Sequence, residues 1–174
     1  MTPMSIDDCQ AWCNRRGVAA SKKQHLDFIG DSHLVELALP RIGRDCVGLS
    51  NILSTQLEGD HHPETLLWLT EYGMWSDSYE TVGIKLWTQM FRGYGYQQES
   101  IRPTEGLLFA EAETDDQRAF LSIPLILQWD AALVPVHGKY LVRMTHHGQV
   151  QFKTKDDALA KTFADIVEAW KRGG

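Results

Sequence analysis

Two histidine pairs carry the strongest suggestion of chemistry in this chain: His146-His147, followed by Gly148, and His61-His62, set between Asp60 and Pro63. Imidazole and carboxylate are the donors of divalent-metal sites and of general acid–base catalysis, but either chemistry needs several side chains converging on one point. Neighbours on a strand point to opposite faces, so His146 and His147 cannot serve one site from within a strand. Strand register offers another role. With His146, His147 and Gly148 as a three-residue loop, Met144 faces Val150, Val142 faces Phe152 and Tyr140 faces Thr154, while Arg143 faces Gln151 and Leu141 faces Lys153. One face is then apolar and the other mostly polar, and Gly148 falls where such a loop wants a left-handed residue. His137-Gly138-Lys139 reads as a second turn, aligning Val136 with Tyr140, Val134 with Val142 and Ala132 with Met144. The two turns lie at opposite ends of a three-stranded meander, so their histidines share no ligand sphere. Asp60, His61 and His62 read first as helix punctuation before a first-turn proline. The competing reading makes them the metal ligands of a small hydrolase, completed by a group from elsewhere.

Other catalytic patterns are missing. There is no Gly-x-Ser-x-Gly elbow, and Cys9, Cys13 and Cys46 sit in no activating context. Cys9 and Cys13 are spaced i, i+4, which suits two small apolar side chains buried on one helix face. Three cysteines in 174 residues also argue against a disulfide framework and for a reducing compartment. Gly93-Tyr-Gly95 lacks the third glycine and the preceding strand of a dinucleotide fingerprint, so no cofactor is expected. The acidic pairs Asp7-Asp8, Asp115-Asp116 and Asp156-Asp157 fall in first turns of predicted helices, where they complement the dipole.

With 17 basic residues against 23 acidic ones, the net charge of -6 opposes binding to nucleic acid or an anionic membrane. The greasiest stretch, Phe120 to Leu127, is too short to span a bilayer, and the first residues show no basic stretch followed by an apolar run. A cytoplasmic location is the expectation.

Aromatic residues are concentrated between Trp68 and Tyr96, with Tyr72, Trp75, Tyr79, Trp87, Phe91 and Tyr94 between them. Tyr79 and Trp87 fall on a helical stripe and read as core. Trp75 follows the helix stop at Gly73, where it suits the hydrophobic contact of a glycine cap, and Tyr94 and Tyr96 are harder to bury in a segment with Gly93 and Gly95. Such rings give large contact area at low entropy cost and are the candidate binding residues.

The pattern of elements is α+β in a single domain over residues 1–174. Ser5 with Asp8 caps a first helix that stops at Gly17. An early hairpin is expected at about 24–39, with Asp31-Ser32 as its loop and Phe28 and Leu26 paired with Val35 and Leu37. Helices follow at about 44–58, from Pro63 to Tyr72, from Asp77 through Met90, and from Thr114 to Leu127 with Pro124 inside it. Gly83 within the third of these marks close packing against a neighbour. Leu107 to Ala110 is a short strand, and the meander at about 131–154 leads into a last helix capped by Thr154. About six helices pack with these antiparallel strands, and if the early hairpin and the late meander share one sheet, its far face is left to solvent.

Three functions fit these residues. The best supported is a non-catalytic binding or protein-interaction domain, acidic and suited to a basic protein partner or a small ligand. The alternatives are the metal-dependent hydrolase at Asp60, His61 and His62, and a structural homo-oligomer joined through edge strands or the aromatic segment.

Overall fold

The computed structural model describes residues 1–20, 26–57, 62–71, 77–95 and 106–173. In chain order these form β1 (Thr2–Met4), α1 (Ile6–Arg15), β2 (Val18–Ala20), β3 (Leu26–Phe28), β4 (His33–Ala38) and α2 (Gly43–Asn51). A π-helical turn, Ile52–Gln56, extends α2, and β5 (Thr65–Glu71), α3 (Asp77–Gly93) and β6 (Gly106–Phe109) follow. After a short 3-10 turn come α4 (Thr114–Leu127), β7 (Asp130–Pro135), β8 (Tyr140–Thr145), β9 (Gln149–Thr154) and α5 (Asp157–Gly173). Seven strands make one antiparallel sheet in the order β1-β6-β5-β7-β8-β9-β4, and β2 and β3 pair separately. The fold is α+β, as the periodicity predicts.

One face of the sheet carries α2, α3, α4 and α5. Leu67, Leu133, Val142 and Phe152 from the strands meet Leu49, Trp87, Phe120 and Phe163 from the helices. Phe152 stacks on Phe163 with ring centroids 4.2 Å apart, and Trp87 meets Phe120 edge-on at 5.0 Å. The other face is covered over half its extent by α1 and the β2–β3 pair. There Cys9, Trp12, Val18, Leu26 and Phe28 lie over Leu66, Trp68, Val134 and Leu141. Each large apolar side chain buried this way contributes about 1.5–3 kcal/mol.

That second cover overturns three expectations. Thr65–Glu71 form a strand where a helix is expected from Pro63 to Tyr72. Thr65 to Leu69 are all buried because β5 lies mid-sheet with both faces covered, which turns a strand into a continuous apolar run with no alternation to read. Among the described residues there are five α-helices where about six are expected. The β7–β8 register also shifts by one residue: Leu133, not Val134, faces Val142, and the loop is the four residues from Val136 to Lys139. A one-residue shift exchanges the two faces, and β7 tolerates it because Ala131 through Pro135 are buried on both. Pro135 ends β7, beyond the last β8 pair at Leu133.

The early hairpin does not form either. β3 pairs with β2, Val18 facing Phe28, and β4 pairs with β9, Val35 facing Phe152. The apolar residues expected to share one hairpin face go to opposite sides of the main sheet: Leu26 and Phe28 to the α1 side, Leu37 and Val35 to the helical side. Gly30, with φ at +89°, breaks the chain between the two strands.

The β8–β9 register is as read from sequence, with Tyr140, Val142 and Met144 facing Thr154, Phe152 and Val150, and Gly148 has φ at +76°. Ser5 caps α1, its Oγ accepting from the Asp8 amide at 3.2 Å. At α5 the cap is Asp156 instead of Thr154, accepting from the Ala158 and Leu159 amides at 2.9 and 3.2 Å. Helix α4 runs on through Pro124 to Leu127. Gly83 packs where expected: a Cβ there would overlap Leu127 Cδ1 and come within 2.5 Å of the Trp129 ring.

Gly83→Ala should therefore cost about 1–3 kcal/mol by overpacking, against the ~1 kcal/mol it gains in helix propensity. A denaturation midpoint at or above that of the wild type would show that α3 does not seat on Leu127 and Trp129.

Candidate functional site

The His146-His147-Gly148 loop closes β8 onto β9, with the Gly148 amide donating to Thr145 O at 2.9 Å. His146 has a larger part than a tolerated turn residue. Its Nδ1 lies 2.9 Å from Asp130 Oδ1 and its backbone amide donates to the same carboxylate, so the start of β7 is clasped to the end of β8. His147 rests on His146, ring centroids 4.0 Å apart. The arrangement orients an imidazole, but among the described residues no three His, Cys, Asp or Glu side chains gather as a metal site would need.

Of the alternative metal set, Asp60 and His61 lie outside the described residues. His62 is half-buried and faces a small cavity with Ser54, Gln117 and Tyr140. Gln117, which reads from its spacing as part of a capping box, is buried in this wall instead. The thiols are set for packing. Burial pushes the Cys13 thiol up to about 12, and burial followed by the nearby Asp45 charge raises Cys46. Both are buried and protonated at neutral pH, which leaves them poor nucleophiles.

Of the candidate binding rings, Trp75 and Tyr96 lie outside the described residues. Tyr94 follows α3 and is 43% exposed. Its ring lies against Phe120, centroids 5.8 Å apart, and its hydroxyl donates to Asp116. That hydrogen bond, then burial, then the Asp116 charge push the phenol up to about 12. Tyr94 thus joins the α3–α4 seam while keeping one side open to solvent.

The feature most open to a partner is one that sequence reasoning placed inside a hairpin. β4 is an edge of the sheet, paired only with β9 among the described residues. The Leu39 amide donates to Gly148 O at 2.7 Å, which sets the phase of the ladder. His33, Val35 and Leu37 accordingly direct their backbone N–H and C=O toward β9, and Leu34, Glu36 and Ala38 direct theirs outward. The side chains of these three residues are exposed on the face opposite α5. Leu34 is 53% exposed, and Ile29, also open, is 60% exposed.

Natural edge strands are usually blunted by proline, lysine, a bulge or a very short length. β4 has six paired residues, no proline and no lysine. Its one carboxylate, Glu36, stands in the middle and is held flat by two neutral amides. Gln149 Nε2 donates to Oε1 at 3.0 Å and Gln151 Nε2 to Oε2 at 2.9 Å. Amides orient the carboxylate without neutralising it. On the same face Lys153 is engaged by Asp27 at 2.7 Å, and Arg143 stands across Gln151 from Glu36.

Comparison with known protein families, with curated proteins and with solved structures found no match for this chain.

The ladder phase makes a sharp contrast between neighbours. Val35→Pro removes an amide that bonds to β9 and should cost about 3 kcal/mol or more. Glu36→Pro removes one that points to solvent and should cost less than about 1 kcal/mol. Equal losses in denaturant melts would mean the phase is wrong. For the seam, Tyr94→Phe should cost about 0.5–1 kcal/mol at neutral pH. The unfolded phenol titrates near 10 and the folded one near 12, so the wild-type advantage is full below pH 10 and disappears as pH rises toward 12. Denaturation midpoints of the two proteins that stay parallel over that range would remove Tyr94 from the seam.

Proposed function

We propose that this chain is a non-catalytic protein-interaction domain that takes up an extended, basic segment of another protein as a further strand along β4. The observation that supports it is the edge itself: three alternate residues, Leu34, Glu36 and Ala38, whose backbone groups face outward with no partner strand among the described residues, and an oriented carboxylate at the centre. Strand addition draws affinity from main-chain hydrogen bonds and specificity from alternate side chains. A Lys or Arg opposite Glu36 would meet a carboxylate already in place, and apolar residues two positions to either side would lie against Leu34 and Ala38. The net charge of -6 adds a long-range attraction for such a segment.

Self-association fits the same edge less well. A two-fold pairing of β4 with its own copy centred on Glu36 sets two carboxylates opposite each other, which is repulsive. Centring the pair on Val35 or Leu37 faces Glu36 with Leu34 or Ala38 and leaves the charge without a partner.

Selection from a displayed library of short random peptides tests the proposal. The wild type should enrich segments alternating basic and apolar residues, Glu36→Lys should exchange the basic preference for an acidic one, and Glu36→Pro, still folded, should enrich nothing. Enrichment that is the same for the wild type and Glu36→Pro, or absent from the wild type, overturns the reading.

A further inference from the structure

We infer that one ordered water molecule is an integral part of this fold, bound between Ser54 in the π-helical turn and His62 on the approach to β5. Ser54 Oγ and His62 Nδ1 are both buried atoms without a protein hydrogen-bond partner, and both residues line the same cavity. Ser54 is only 7% exposed. Buried polar atoms in folded proteins are almost always satisfied, by protein or by an ordered water. Neither atom has a hydrogen-bond partner among the described residues, and the cavity that both residues line is the place for a shared one.

The size of the space selects that partner. The cavity measures about 10 Å³, close to the volume that admits a single water and nothing larger. Gln117 and Tyr140, 5% and 3% exposed, also line it, together with Leu53 and Leu57. A water bound there has the several polar neighbours that such a site requires.

The π turn explains why a serine hydroxyl reaches this position. In an α-helix the stripe of Cys46, Leu49, Leu53 and Leu57 would carry the core face, with residue 54 at its flank. A π turn advances less per residue, so Ile52, Leu53 and Ser54 are buried in succession, at 2%, 1% and 7% exposure. The extra inward residue is polar, and the water turns its hydroxyl into a bridge between the wide turn and the start of the central strand.

Magnetic relaxation dispersion, which counts waters held for long times inside a protein, tests this directly on the wild type, Ser54→Ala and His62→Phe. The dispersion amplitude should fall by one long-lived water in each variant, with the fold checked by circular dichroism. An amplitude unchanged in both variants overturns the inference. A high-resolution crystal structure of the wild type decides the matter without any variant. Density within hydrogen-bond distance of Ser54 Oγ and His62 Nδ1 is expected; a direct bond between those two atoms, or a collapsed dry cavity, overturns it.

Discussion

Trp12 lies flat against the sheet with its indole N–H donating to Val134 O at 3.1 Å, and Arg16 covers its outer side with the guanidinium 3.3 Å from the ring centroid. Much of the architecture depends on this contact. Through it α1 and the β2–β3 pair become a second cover, so that β5 and β7 are buried on both faces while β4 packs α5 on one face and exposes Leu34, Glu36 and Ala38 on the other. Sheets of this antiparallel kind commonly leave one face to solvent. Here the central strands do not, and the outer ones do.

The division sorts the side chains of the second face. Over the centre lie Leu66, Trp68, Val134 and Leu141, matched by Cys9, Trp12, Leu26 and Phe28. Toward the β4 edge lie Gln149, Gln151 and Glu36, joined by side-chain hydrogen bonds that remain open to water. The Lys153–Asp27 pair at 2.7 Å and Lys155 Nζ on Ile29 O at 2.7 Å tie the small sheet down at the boundary. An apolar cover thus ends where a polar, accessible edge begins. The proposed strand addition relies on that adjacency of a supported sheet and an outward-facing backbone edge.

The parts of the fold legible from sequence are those where one face of an element is buried and the other wet. Phe152 and Val150 alternate with Gln151 and Gln149, which leaves a single register for β9 and its loop. Helices α1, α2, α3 and α5 are visible for the same reason, each with one apolar stripe. Thr65-Leu-Leu-Trp-Leu69 has no such contrast, and its strand character follows from neighbours far away in the chain. The candidate site was hidden by the same ambiguity. Leu26 and Phe28 match Val35 and Leu37 in alternation as well as any hairpin would, and only the assembled sheet sends them to opposite faces. Glu36 then moves from the polar side of a hairpin to the middle of an open edge.

Taken alone, the sequence determined the α+β class, the three strands at the C-terminus and the turn between the last two, the close approach at Gly83, and the acidic charge. It also reduced the His146-His147 pair to a turn, because alternation over a few residues is a local property and register follows from it. Only the tertiary structure decided which strands are central, where β4 pairs, that His146 holds Asp130, and that Ser54 turns inward. Each of these depends on contacts between residues far apart in the chain, and no local pattern of apolar and polar residues encodes which second surface will cover the first.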